Sequence, residues 1–455
     1  MNAFAATRLL FTLAGAALAL PAQAPPPRFV LPDVPHDYAP LAAPGLAQRF
    51  PLPLRNGRPK PRGCGCFGGI EGEQPPAPPP DLTNELAALG RVLFHDPLLS
   101  RNQSRSCASC HQQARAFADG QAHSRGFRGH LTHRNSMSIA NLGLLDGGFF
   151  WDARAKTLEE MVVMPIQDAI EMGMDLPGVV ARLRGEPGYA ELFTRAFGDP
   201  GIDAGRLATA LAQFVRSIVS LRSRYDEGLA ATGDVDKDFP GFTTAENRGK
   251  KLFFGDKATR ARTCAGCHVE RYYPVCSHTF FLMPESLQSG GCSNNGLDAG
   301  RTGDDPGLGR VTGKAEDRGK FRAPSLRNIE LTGPYMHDGR FATLAQVMQF
   351  YSDRVRPHPN LDPVLRHDAG APGGWGKPAD APASVELTMA VSSPRLGVPM
   401  TSGERADLIA FLKTLTDHEL VRDPRFSDPF VRTPGRQKHA PGASLSAVAA
   451  PVGRE

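Results

Sequence analysis

The chain has 455 residues, of which 41% are hydrophobic and 22% are charged, and its formal net charge is +5. This length exceeds what one ordinary domain needs, so two or three domains are expected. The small net charge and the lack of a polybasic Lys/Arg run argue against nucleic acid as a partner.

The first 24 residues are typical of a secretory signal peptide. A positive charge at Arg8 precedes an apolar run over residues 9–20, and small residues follow up to Ala24. Such a run is too short to span a membrane, and no later apolar run reaches membrane length. We therefore expect an exported, periplasmic protein without a membrane span, cleaved after Ala24 or Ala19.

Composition and repetition divide the rest of the chain into four parts. Residues 25–80 are rich in proline and glycine, which predicts an extended or disordered lead-in. Residues 432–455 have a similar composition and predict a flexible tail. Between these segments lies an internal repeat, which predicts an N-terminal domain over 81–235 and a C-terminal domain over 236–431.

Each half of the repeat combines a helix carrying Gly-x-x-Leu-Phe, a Cys-x-x-Cys-His motif, a long variable stretch and an amphipathic helix. "LGRVLFHD" (89–96) corresponds to "RGKKLFFGD" (248–256), and "LAQFVRSIVS" (211–220) to "LIAFLKTLTD" (408–417). The last two segments place apolar residues at helical spacing. No convincing alternating strand pattern occurs, so the sequence predicts a mainly α fold with long loops.

Two Cys-x-x-Cys-His motifs indicate covalently bound haem. In c-type cytochromes the two cysteines form thioethers and the histidine is the proximal iron ligand. A structural zinc site would need four ligands at set spacing, and a redox Cys-x-x-Cys usually occurs in a βαβ context that is absent here. Export and the helical repeat therefore favour two c-type haems in two cytochrome c-like domains. The attachment residues are Cys107, Cys110 and His111 for haem one, and Cys264, Cys267 and His268 for haem two.

The other four cysteines have less definite roles. Cys276 and Cys292 would close a loop next to haem two, worth roughly 3 kcal/mol if the disulfide forms. Export makes two unpaired thiols the less favoured alternative. Cys64 and Cys66 are too close to pair easily with each other, and they receive no role.

From about Leu89 to Thr416 the chain resembles the bacterial di-haem cytochrome c peroxidases and the related MauG enzymes, which oxidise a protein substrate. The resemblance implies that haem one is the peroxidatic site, open to hydrogen peroxide, and that haem two transfers electrons. It also implies a small cytochrome c or copper protein as electron donor, and makes a homodimer plausible. The matching segments are "LFHDPLLSRNQSRSCASCH", "RNSMSIAN", "FFWDARAKTLEE", "PIQDAIEMGM", "CAGCH" and "FRAPSLRNIELTGPYMHDGRFATL".

The resemblance also assigns roles to residues outside the two motifs. Glu171, in "PIQDAIEM", matches the distal glutamate that moves protons during O–O cleavage, a task that suits a carboxylate. Trp151, in "FFWD", matches the tryptophan between the haems. Asn135, Thr332 and Pro334 match positions around an inter-domain calcium, the latter two through backbone carbonyls, and oxygen donors suit this hard cation.

The distal ligand of haem two is implied by the "HDG" segment. In the family, the histidine that His337 matches lies close to haem two, and the peroxidases typically place a methionine ligand fourteen residues later. Here that position is Tyr351, as in the MauG branch. A tyrosinate ligand would lower the haem potential. Met348 is one helical turn earlier on a similar face and is the alternative ligand.

At three positions the chain departs from the well-studied branches. Phe127 occupies the distal histidine position of the peroxidases, Met161 the distal glutamine position of MauG, and Arg262 the position of the MauG tryptophan before the second motif. A different loop would instead bring one of three nearby histidines to the distal position: His123, His130 or His133.

We expect a periplasmic di-haem peroxidase that reduces hydrogen peroxide to water with electrons from a small redox protein, delivered through haem two. The alternative is a MauG-like oxidase that uses peroxide to modify a partner protein, which Tyr351 favours and Met161 and Arg262 disfavour. A third hypothesis is a non-catalytic di-haem electron-transfer cytochrome, which the region around Glu171 disfavours. These alternatives share fold and cofactor, which do not fix the substrate.

Overall fold

The computed structural model describes residues 35–39, 41, 81–145, 148–255, 263–268, 292–300, 304–366 and 396–430. Over these ranges the chain is mainly helical, as the sequence predicts. The helices are α1 (Asn84–His95), α2 (Cys107–Cys110), α3 (Leu158–Gln167), α4 (Leu176–Arg184), α5 (Tyr189–Phe197), α6 (Ala204–Ser217), α7 (Arg224–Thr232), α8 (Thr244–Phe254), α9 (Ala265–His268), α10 (Gly309–Thr312), α11 (Leu344–Asp353) and α12 (Ser402–Lys413). The strands β1 (Cys292–Ser293) and β2 (Phe321–Arg322) pair antiparallel, with Cys292 opposite Arg322. None of the described helices is long and apolar enough to cross a membrane.

Threonine caps set where several of the long helices begin, among them α1, α8, α11 and α12. The Thr83 hydroxyl accepts a hydrogen bond from the backbone N–H of Leu86 and starts α1. Helices α8, α11 and α12 each begin with a reciprocal capping box, in which a threonine bonds to a Glu or Gln three residues later. Such caps satisfy backbone donors that have no partner within the helix, and each stabilises the helix by about 1 kcal/mol.

Two helix pairs pack through a glycine at corresponding positions. A Cβ at Gly90 of α1 would lie 2.0 Å from the carbonyl oxygen of Ala210 in α6. A Cβ at Gly249 of α8 would lie 1.9 Å from the carbonyl oxygen of Asp407 in α12. Only glycine permits backbones to approach so closely. The Gly-x-x-Leu-Phe segments therefore carry glycine because a second helix lies directly against them.

The described residues form two main hydrophobic cores and a smaller third one that includes Leu297 and Phe350. The first core extends to Ile218 and the second begins at Val219. Helix α7 belongs to the second core, where the Tyr225 ring stacks on Phe254 with centroids 6.3 Å apart. The predicted domain boundary at residue 235 stays a prediction.

The end of the described chain returns to the first core. Leu420 and Phe426 are fully buried there, and the Arg91 side chain donates hydrogen bonds to the carbonyl and hydroxyl oxygens of Ser427. In the lead-in, Tyr38 is also fully buried and packs against Phe426. Segments from both ends of the described chain therefore complete the N-terminal core.

A buried ion pair holds α7 to the segment before α11. The Arg327 guanidinium donates two hydrogen bonds to the Asp226 carboxylate, at 2.7 and 2.8 Å, and both side chains are almost fully buried. Close by, the Asn328 amide donates to the Ser220 hydroxyl over 3.0 Å. These contacts fix the segment that continues toward Pro334 and His337.

Candidate haem sites and the region between them

The two Cys-x-x-Cys-His motifs have the same backbone and side-chain geometry. In each, the histidine N–H donates to the carbonyl of the first cysteine over 2.9 Å. Nδ1 of His111 lies 2.9 Å from the carbonyl oxygen of Phe117, and Nδ1 of His268 lies 3.2 Å from that of Pro324. A metal-bound histidine typically donates its other ring N–H to such an oxygen. This arrangement leaves Nε2 of both rings for an iron.

Burial keeps these groups in the forms that haem attachment requires. It lowers the pKa of His111 and lowers that of His268 to about 4, so both imidazoles are neutral and can act as ligands. It raises the pKa of Cys107 to about 12 and that of Cys264 to about 11, and neither forms a disulfide. Within the described residues, no group of three or more His, Cys, Asp or Glu side chains could hold a metal ion.

One large, mostly apolar cavity lies between the second motif and helices α11 and α12. The space between its lining atoms, including the part open to solvent, is about 1790 Å³. The hydroxyl of Ser293, buried in the lining, has no hydrogen-bond partner among the described residues, as expected where a bound group completes a site. The residues present fit a haem: the predicted haem-two residues Cys264, Cys267, His268, Met348 and Tyr351 all line this cavity.

Both predicted distal ligands of haem two are on α11 and reach this cavity. The Tyr351 hydroxyl accepts a hydrogen bond from Nδ2 of Asn295 over 3.3 Å, and burial raises the pKa of Tyr351 to about 12. Met348 is three residues earlier and is buried in the second core. The structure therefore brings both candidates to the second motif and leaves the choice between them open.

Glu171 lies beside the first motif, on a tightly held turn. Its backbone N–H donates to Oδ1 of Asp168 over 3.0 Å, and its carbonyl accepts from the N–H of Phe127 over 2.9 Å. A Cβ at Gly126 would lie 1.7 Å from the carbonyl oxygen of Ile170, so glycine is required there. These contacts fix where the Glu171 side chain leaves the backbone.

The carboxyl group of Glu171 titrates near neutral pH. Burial, followed by the nearby charge of Asp168, raises its pKa to about 7, and Arg154 opposes the shift. Glu171 is also close enough to Cys107 and Cys110 that its charge raises the pKa of both thiols. The structure thus places a carboxyl group with a pKa suited to proton transfer next to the predicted haem-one attachment site.

Trp151 lies between the two halves and joins an aromatic cluster. Its indole N–H donates to the carbonyl oxygen of Asn135 over 2.9 Å. Its ring lies 6.5 Å from that of His337, which stacks on Phe321 with centroids 3.8 Å apart. All four residues line the large cavity. Trp151 therefore has one fixed ring orientation beside the second site.

The three predicted calcium positions also meet at this cavity. Asn135, Thr332 and Pro334 all line it. The side-chain amide of Asn135 donates to the carbonyl of Gln121 over 2.8 Å, which orients the amide oxygen as a potential ligand. Calcium at this place stays a prediction.

Some sequence predictions concern residues that the structure does not describe. Cys64, Cys66, Arg262 and Cys276 lie outside the described residues, so the Cys276–Cys292 disulfide stays a prediction. Cys292 itself is buried in β1.

Sequence reasoning missed several residues of the sites. Asp168 had a local signal, because an Asp three residues before Glu171 is placed to bond its backbone N–H. Asn295 and Arg322 had none, since their roles depend on side chains distant in the chain.

The comparisons with known proteins agree with this geometry. A model of the family described as di-haem cytochrome c peroxidase matches residues 84–234. The methylamine utilization protein MauG of Paracoccus denitrificans is 34% identical over 369 residues, covering 73% of this chain and 88% of that protein. The cytochrome c551 peroxidase of Nitrosomonas europaea is 32% identical over 269 residues, covering 58% of this chain and 72% of that protein.

Two solved structures are similar over most of their length. A MauG-like protein associated with microbial copper homeostasis is 34% identical, with a TM-score of 0.58, covering 80% of this chain and 99% of that one. The diheme peroxidase BthA of Burkholderia thailandensis is 26% identical, with a TM-score of 0.53, covering 76% of this chain and 90% of that one.

The mainly helical fold and these matches place the chain among oxidoreductases that use two haems. The chain belongs to the di-haem cytochrome c peroxidase and MauG family, which confirms the resemblance predicted from the sequence. It is an oxidoreductase of the cytochrome c peroxidase type, and the family implies peroxide as substrate and a redox partner.

Proposed function

We propose that the chain is an exported di-haem c-type peroxidase that reduces hydrogen peroxide to water with electrons from a small redox protein. The observation that carries this proposal is Glu171, a half-buried carboxyl group with a pKa of about 7 beside Cys107 and Cys110. A simple electron-transfer cytochrome has no use for a proton-transfer group at this place.

The haems would be held by the two motifs. Cys107 and Cys110 would form the thioethers to haem one and Cys264 and Cys267 those to haem two, while His111 and His268 would bind the irons. When bound, the haems supply the redox chemistry, taking electrons from a donor and passing two of them to peroxide.

Glu171 would handle the protons. Reduction of peroxide to two waters consumes two protons and two electrons. A carboxylate at Glu171 can take the proton from one peroxide oxygen and deliver it to the other as the O–O bond breaks. A pKa near 7 makes both steps accessible at neutral pH. Asp168 maintains that pKa through its charge and fixes the backbone of Glu171 through its hydrogen bond.

Trp151 would provide the aromatic ring between the two sites. Its hydrogen bond to Asn135 fixes the indole, and the neighbouring rings of His337 and Phe321 continue the row of aromatic contacts along the cavity. The second site would receive electrons from a cytochrome or a copper protein. The solved MauG-like relative is associated with copper homeostasis, which makes a copper protein a donor to test.

The second candidate function is a MauG-like oxidase that uses peroxide to modify a partner protein. The observation that favours it is Tyr351, whose hydroxyl reaches the second site and accepts a hydrogen bond from Asn295. Three relatives between 33% and 34% identical are MauG proteins. If Tyr351 rather than Met348 binds the second iron, this candidate gains weight.

Several further features belong to this proposal. The matching glycine contacts of Gly90 and Gly249 support an internal duplication into two cytochrome c-like domains. Asn135, Thr332 and Pro334 support a calcium ion between them. The signal-like N-terminus supports export to the periplasm, and a homodimer is proposed on family resemblance alone.

The deciding experiment measures peroxide turnover by the purified protein. We expect two covalently bound haems per chain and rapid peroxide consumption with a reduced small cytochrome or a reduced copper protein. A long-lived oxidised state without donor oxidation would instead support the MauG-like candidate. One haem or none per chain would contradict both.

A further inference from the structure

Arg322, in β2, is a buried cation that lines the large cavity beside the second Cys-x-x-Cys-His motif. It is only 5% exposed. Its Nε donates to the carbonyl oxygen of Phe150 over 3.2 Å, and its Nη2 lies 3.2 Å from Sδ of Met137. Its backbone N–H donates to the carbonyl of Trp151 over 2.7 Å. Across the described residues, Nη1 has no hydrogen-bond partner and no carboxylate forms an ion pair with the guanidinium.

The acidic groups nearby do not supply the missing counter-charge. Cys292 lies directly opposite Arg322 in the sheet, but burial raises the pKa of this thiol to about 12, so it is neutral. Asp152 is buried in the same region, yet its carboxylate is already paired with Arg134 at 2.6 Å and Arg154 at 2.9 Å.

A buried charge without a partner costs several kcal/mol, so a folded protein rarely keeps one unless an anion completes it. The group that this family places in the cavity carries two propionate carboxylates. A guanidinium is the side chain best suited to bind a carboxylate through two parallel N–H bonds.

We propose that Arg322 is a positioning residue that binds a propionate carboxylate of haem two and fixes it to the Trp151 segment. This inference rests on the proposed haem-two site. The backbone and side chain of Arg322 both hold carbonyls of the Phe150–Trp151 segment, so one residue joins the haem carboxylate to the tryptophan between the two sites. Its positive charge also favours the reduced, less positive state of haem two.

The test is Arg322→Gln in the full-length holoprotein, with Arg318→Gln as the control. Arg318 is an exposed arginine four residues earlier, and its substitution removes the same charge without touching the cavity. Two haems per chain are first verified. Haem two is then titrated spectroelectrochemically, and its propionate bending band is recorded by resonance Raman spectroscopy.

We expect Arg322→Gln to lower the ratio of reduced to oxidised haem two at a fixed potential by about tenfold, equivalent to about 59 mV for one electron. The propionate band should shift, and haem one should be unaffected. Values equal to those of Arg318→Gln would overturn the role of Arg322.

Two further outcomes keep the test decisive. If Arg322→Gln does not fold, Arg322→Lys replaces it, because lysine keeps the charge and loses the two-bond geometry. A shifted propionate band in the lysine variant then supports the proposal, and an unchanged band contradicts it. A wild-type protein with a single haem would instead remove the proposed haem-two site itself.

Discussion

The amide of Asn295 donates a hydrogen bond to the hydroxyl of Tyr351 over 3.3 Å, at the wall of the large cavity beside the second motif. Asn295 is 56 residues earlier in the chain. Burial raises the pKa of this phenol to about 12, and the hydrogen bond from Asn295 opposes that rise. Asn295 therefore holds the Tyr351 oxygen at the second site and makes the tyrosinate form less costly.

If Tyr351 binds the iron of haem two, Tyr351→Phe will change the absorption and EPR spectra of one haem and leave the other as in wild type. The matched control is Tyr335→Phe. Tyr335 lines the same cavity, but its hydroxyl already donates to the carbonyl of Ile329 over 3.0 Å. Identical spectra for the two variants would assign the ligand position to Met348 or leave it open.

Replacing Glu171 by glutamine should slow peroxide consumption by roughly 100-fold, because the amide cannot take or deliver the proton. Glu191→Gln is the control, since its side chain is 66% exposed on α5 and also loses one negative charge. Stopped-flow measurement of peroxide decay compares the two. An unaltered rate in Glu171→Gln would remove this residue from the mechanism.

The charge of Asp168 gives the reaction a specific pH dependence. If the ionised Glu171 is the base, the rate of the wild-type protein should rise with pH around its pKa of about 7. Asp168→Asn removes the neighbouring negative charge and keeps an oxygen for the backbone bond, so the pKa of Glu171 falls and the rise moves to lower pH. A pH–rate profile measures the shift, and Glu171→Gln should flatten it. A profile that moves to higher pH would contradict this account.

Trp151→Phe should affect both stability and electron transfer. The variant loses the hydrogen bond to Asn135 and leaves a buried carbonyl without a partner, at a cost of about 1 kcal/mol in the free energy of unfolding. The response of haem two to peroxide should become slower in rapid-mixing experiments. An unchanged response would mean that electrons do not pass by way of Trp151.

The Asp226–Arg327 pair predicts a large stability effect far from the proposed chemistry. Asp226→Asn leaves a buried guanidinium without its charge partner, which should cost about 3–5 kcal/mol in the free energy of unfolding. Asp199→Asn is the comparison, because its pair with Arg206 is solvent-exposed and its loss should change the free energy of unfolding far less. Urea denaturation of both variants measures the difference, and equal midpoints would refute it.

The sequence predicted the parts of this protein that depend on local spacing. The attachment motifs are contiguous, so residues such as His111 and His268 are readable without a fold. Glu171 followed from a family resemblance, whereas its neighbour Asp168 was missed although it precedes Glu171 by only three residues. The helices carrying Gly90 and Gly249 were predictable because their patterns recur in the chain.

What the sequence missed depends on contacts between distant residues. The division of the cores between Ile218 and Val219 follows from the packing partners of α7, which include the rings of Phe239 and Phe254. Arg322 has no carboxylate partner because the nearby Asp152 pairs with Arg134 and Arg154 instead. No pattern in the sequence reveals this pairing.

The return of Leu420 and Phe426 to the first core determines the order in which the protein can be completed. The N-terminus is synthesised first, so the helices of the first core form early. The side chains that close this core, however, come near the end of the described residues. The apolar surface of the N-terminal half therefore stays exposed until the C-terminal residues have been synthesised. Expressed alone over 81–235, it would lack these two side chains and tend to aggregate, so the protein has to mature as one piece.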